Sequence, residues 1–137
     1  MKCLATVSVL LTFVGCRTTE ESQSDSAMAH LMGQWAMDHV YDSGQDVTDQ
    51  HNPAGNRWIS FIADGSFVPD GDPHGRNAGQ WIFDEQTSEL YLDSDAGEGD
   101  DSYWIVSFEE EQMRWKGARS DFTARFELVH VRQKDME

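Results

Sequence analysis

Gly33-Gln34-Trp35-Ala36-Met37-Asp38-His39-Val40-Tyr41 is the stretch that decides how the rest of the chain is read. Trp35, Met37, His39 and Tyr41 alternate with Gln34, Ala36 and Asp38, the period-two pattern of a strand with one face buried. A glycine two residues before a tryptophan opens it, and the pair returns as Gly79-Gln80-Trp81. Just upstream, Ser24-Asp25-Ser26 offers a helix N-cap, and Ala27 to Met32 is long enough for one or two helical turns before Gly33 breaks them.

Downstream the sequence alternates short apolar runs with turn residues. Asp42 to Asn56 reads as a polar loop, and Trp58 to Ala63 as a second strand with a hairpin signal at Asp64-Gly65. Phe67-Val68 is a third strand, kept short by Pro69. Ala78 to Phe83, Glu89 to Leu92, Tyr103 to Phe108, Met113 to Lys116 and Thr123 to Val131 complete eight. Eight short strands with tight connections predict an all-β, up-and-down antiparallel meander. Such a meander can close into a barrel whose interior is filled by side chains or holds one small ligand.

The arrangement of Gly33-x-Trp35, Phe61-x-x-Asp64-Gly65-Ser66-Phe67, Gly79-x-Trp81, Leu90-x-Leu92 and Met113-x-Trp115 resembles the lipocalin-like domains of bacterial lipoproteins. The resemblance covers Leu31 to about Arg132. It implies a calycin-type barrel in which Gly33 and Trp35 close the base and the preceding helical turn covers one end. It implies no particular activity, because the fold hosts several.

The N-terminus carries an address. Lys2 precedes an apolar run, Cys3 to Val14, too short to span a bilayer as a helix and of the length of a signal-peptide core. It ends in Leu11-Thr12-Phe13-Val14-Gly15-Cys16, which resembles the lipobox of bacterial lipoproteins, with Phe13 where that family usually has leucine. The expected organisation is a signal peptide over 1–15, a lipidated Cys16 with a polar tether to residue 26, and a barrel domain over 27–137. Two acyl chains on Cys16 would hold the protein stably on a membrane. Arg17 in place of aspartate leans toward the outer rather than the inner membrane.

Charge narrows the partners. With 25 acidic against 10 basic residues the net charge is -15, which repels nucleic acid and anionic surfaces. The two cysteines, Cys3 and Cys16, both lie in the N-terminal segment, so no disulfide or thiolate metal site is expected in the domain. The acidic run Asp93 to Asp101 lacks the glycine and the bidentate glutamate of an EF-hand loop and reads as a solvated surface. Motifs of nucleophilic, zinc-dependent or phosphate-binding enzymes are absent, so no enzyme, cofactor or metal is expected.

The expected function is a membrane-anchored barrel that binds a small apolar or amphipathic molecule. The inward candidates are Met37, His39, Tyr41, Phe61, Leu90, Leu92, Met113, Phe126, Leu128 and His130. His39 and His130 fall on first and last strands, neighbours in a closed barrel, so their imidazoles are expected to share a polar spot. The alternative is a solid-cored envelope barrel that contacts a protein through Asp42 to Asn56 and Pro69 to Arg76. The direction of Trp35, Trp81, Trp104 and Trp115 separates the two, since four inward indoles would leave little cavity.

Overall fold

A computed structural model of the chain describes residues 26–95 and 101–133. Cys16, the signal peptide and the tether lie outside the described residues, as does the centre of the acidic run. The strands are β1 (Gly33–Asp42), β2 (Gln45–Asp46), β3 (Trp58–Phe61), β4 (Ser66–Asp70), β5 (Gly79–Asp84), β6 (Glu89–Ser94), β7 (Ser102–Glu109), β8 (Gln112–Ala118) and β9 (Phe126–Arg132). Among the described residues three short helices accompany them: α1 (Ala27–Leu31), α2 (Thr48–His51) and α3 (Asp121–Ala124). Each long strand pairs antiparallel with the next, and β9 pairs back onto β1. The result is a closed, eight-stranded up-and-down barrel, with β2 hanging on β1 as an extra strand. The barrel unit begins at Leu31.

Period-two alternation builds the core. In β5, Gly79, Trp81 and Phe83 are buried while Gln80, Ile82 and Asp84 are exposed. β8 repeats this with Met113, Trp115 and Gly117. Phe61 joins the walls, its ring 5.8 Å from that of Trp81, 6.1 Å from Trp115 and 6.4 Å from Phe67. Gly79 is required there: a Cβ would stand 2.6 Å from the Phe67 ring and 2.4 Å from the Asp93 carbonyl.

The connections sort by length. The β3–β4, β5–β6 and β7–β8 turns lie at the end of the barrel where Gly33 begins β1. At that end Trp35 is fully buried and its Nε1 donates to the Leu31 carbonyl at 2.8 Å. The long connections, with α2 and α3, gather at the other end.

Four local features depart from the sequence reading. First, β1 carries a bulge: Met37 faces His130 but His39 faces Val129, so Asp38 is an extra residue and the phase flips beyond it. Second, the Asp42 to Asn56 loop is folded, starting with a Ser43-Gly44 turn whose residues both have positive φ, 54° and 86°. Such a turn matches the twist of paired strands. Third, the last strand starts at Phe126 and not at Thr123, because Ser120 caps α3 by accepting from the Thr123 N–H at 2.9 Å. Fourth, β4 runs through Pro69 to Asp70. Proline is tolerated because β4 and β5 pair only at Ser66↔Gln80 and Phe67↔Gly79, leaving no ladder bond for its missing N–H to break.

Candidate functional site: a cavity at the loop end of the barrel

Trp35, Trp81, Trp104 and Trp115 are all buried, at 0, 7, 8 and 3% exposure. Even so, a cavity of about 460 Å³ remains. Trp35 and Trp81 fill the tight-turn end, whereas Trp104 and Trp115 form walls of the open half. Apolar walls come from Met37, Ile59, Phe67, Pro69, Leu92 and Leu128. Ser94, Ser102, Asn77, His74 and Arg57 add polar groups toward the loops. The volume falls within the roughly 300–1,000 Å³ of small-molecule sites, and the lining mixes apolar walls with polar groups in comparable share.

Arg57 enters this space through strand geometry. Its carbonyl accepts from the Met37 N–H at 3.0 Å, extending the β1–β3 ladder by one residue, and Arg57 shares the inward phase of Ile59 and Phe61. Beyond that point Asn52 takes over the pairing. Its Nδ2 donates to the Met37 carbonyl at 3.1 Å and its Oδ1 accepts from the Arg57 N–H at 3.2 Å. The buried Asn52 side chain thus stitches β1 to the strand entry where the bulge draws them apart. Arg57 Nη1 donates to the His51 carbonyl at 2.9 Å, and burial pulls its pKa down.

Beneath the cavity, His130 lies against Trp115, with ring centroids 4.5 Å apart. Burial, reinforced by the positive charge of Arg57, lowers the His130 pKa to about 3, so the imidazole is neutral at ordinary pH. Its Nδ1 and the neighbouring Trp115 Nε1 are buried without hydrogen-bond partners. Gly117 shapes the opposite rim: a Cβ there would meet the Thr123 carbonyl at 1.8 Å, so glycine lets α3 close against β8.

The sequence-derived candidates divide into four groups. Met37, Leu92 and Leu128 line the cavity. Phe61, Leu90 and Met113 are packed into the core at 2, 0 and 0% exposure, as is His130 at 2%. Phe126 stands at the loop end against His51, 5.7 Å between rings. His39 and Tyr41 lie beyond the bulge on the outer face, stacked on each other at 5.7 Å. His39 is half-exposed between Asp38 and Asp46, at 3.4 and 3.3 Å, and does not meet His130. Gly33 and Trp35 sit at the tight-turn end, with Arg132 stacked over the indole.

Asn52 and Arg57 escaped the sequence reading. Asn52 carries no local signal, but Arg57 could have been found by extending the phase of Phe61 and Ile59 one step back. Of the acidic run, Asp93 has its carboxyl pKa raised, first by the charge of Asp101. Among the described residues no group of three acidic, histidine or cysteine side chains is placed to hold a metal.

The barrel has a solved counterpart. A DUF4847 family protein from Bacteroides vulgatus superposes with a TM-score of 0.55 at 13% identity, over 77% of this chain and 95% of that one. At that identity the likeness is one of fold. No protein-family model and no curated protein matches the chain.

Proposed function

We propose that the protein is a binding barrel of the lipocalin-like kind, tethered to the bacterial envelope through Cys16, that carries a small amphipathic molecule. The observation behind the reading is the cavity itself. All four indoles point inward, the arrangement that would leave little cavity and favour a protein-contact role, yet about 460 Å³ stays open at the loop end. The walls carry apolar side chains such as Met37, Leu92 and Leu128 beside the polar Arg57, His74, Asn77, Ser94 and Ser102. This distribution suits a ligand with an apolar body and a polar end. The anchor rests on the lipobox-like Leu11 to Cys16 segment. In this reading the protein is a carrier and not an enzyme.

The test is uptake of N-phenyl-1-naphthylamine, a neutral apolar fluorophore, by the purified full chain. Saturable uptake that is lost in Leu92→Trp and Leu128→Trp, which fill the cavity from two sides, is the expected result. A chain that takes up no probe, or filled variants that take it up unchanged, would refute the reading.

A further inference from the structure

Arg57 is the described arginine that lines the cavity. Arg76, Arg114, Arg119 and Arg125 each pair with a carboxylate, respectively Asp70, Glu127, Glu89 and Asp42. Arg132 stacks on Trp35 and donates to the Met32 carbonyl. Arg57 alone of the described arginines projects into the cavity, and no described carboxylate lies within ion-pairing distance of it. That is notable in a chain with 25 acidic residues. Arg57 is half-buried, and holding a partly desolvated guanidinium without a counter-charge has a cost that an entering anion relieves.

We propose that Arg57 receives the carboxylate of the ligand, so that the barrel selects a long-chain monocarboxylate over neutral molecules of the same shape. The inference rests on the binding-barrel reading and names the substrate class of that cavity. The guanidinium is fixed by one bond, Nη1 to the His51 carbonyl, and by Asn52 holding the Arg57 backbone. Its remaining donors are free to make the two parallel bonds that fit a carboxylate. The apolar walls then accept the chain: Met37 flanks Arg57 across the β1–β3 pairing, and Leu92, Trp104, Trp115 and Leu128 continue the surface. The strongly negative exterior disfavours polyanions but weighs less on a single carboxylate whose charge is met inside.

The experiment compares cis-parinaric acid with its methyl ester, read by energy transfer from the tryptophans in the purified full chain. The acid is expected to bind about tenfold more tightly than the ester, the scale of a charge-assisted hydrogen-bonded pair. Arg57→Gln is expected to lower the acid's affinity about tenfold, to that of the ester, with a much smaller change for the ester, and an unchanged urea midpoint shows that the variant is folded. Arg57→Lys keeps part of the preference. Equal binding of acid and ester by the wild-type chain, or equal loss of both in Arg57→Gln, would overturn the carboxylate assignment while leaving the cavity reading intact. Failure of both probes to bind the wild-type chain would sink that reading and this inference together.

Discussion

The Arg132 guanidinium lies 4.0 Å from the centroid of the Trp35 indole, so the last strand of the barrel caps the first. Gly33 makes room for the contact: its φ is +109°, and a Cβ there would sit 2.8 Å from Arg132 Nη1. The closed end is therefore a layered stack of backbone, cation and ring, with the Trp35 Nε1 satisfied by Leu31.

Truncating that stack should be expensive. Trp35→Ala is expected to cost about 3–5 kcal/mol, as large aromatic truncations in cores do. Arg132→Met, which keeps much of the stem, should cost about 1–2 kcal/mol for the lost cation–π and carbonyl contacts. Urea unfolding of both variants checks the order. A Trp35→Ala loss below about 1 kcal/mol would place the ring outside the core.

Asn52 should matter more than its place in a polar loop suggests. Asn52→Ala leaves the Met37 carbonyl and the Arg57 N–H without their partners and is expected to cost about 1–3 kcal/mol. Hydrogen exchange at the Arg57 amide should quicken in the variant. Unchanged exchange there would mean that Asn52 does not hold the strand entry.

The two histidines that the sequence pairs should behave oppositely. His39→Ala, on the half-exposed outer face, is expected to change stability by no more than about 0.5 kcal/mol. His130 has a folded pKa of about 3, below its unfolded value near 6.5, so the unfolded chain binds the extra proton between those limits. Stability should thus fall as pH drops below about 6.5, by up to about 1.4 kcal/mol per unit. Asp42, Asp46 and Asp64, whose pKa values are lowered below 3.8, lose their contributions only at still more acid pH. Comparing urea midpoints at pH 7 and pH 5 in the wild type and in His130→Leu isolates the imidazole. The variant should show the smaller drop.

The membrane anchor is checked by fractionation. Cys16→Ser should release the protein from the membrane fraction, and a variant that still needs detergent for extraction would remove the lipoprotein assignment.

The barrel was legible because its strands keep strict alternation: β5 and β8 place Trp81, Phe83, Met113 and Trp115 inward as their phase demands. The count of eight strands followed from turn residues such as Asp64-Gly65. The cavity's polar side was less legible for a specific reason. One extra residue, Asp38, reverses the phase of β1, so His39 and Tyr41 turn outward while their spacing in the sequence still points inward. A bulge leaves no compositional mark. The open volume was equally hidden, since it depends on which end of the barrel each indole fills, and neither the period nor the bulk of tryptophan fixes that.

The carrier reading meets its most direct test in native mass spectrometry of the full-length protein, purified gently from its own host. The account predicts a reproducible additional mass that organic extraction removes, and that identifies as a long-chain carboxylic acid. A clean mass with nothing bound, from a chain that also takes up neither parinaric acid nor its ester, would contradict it.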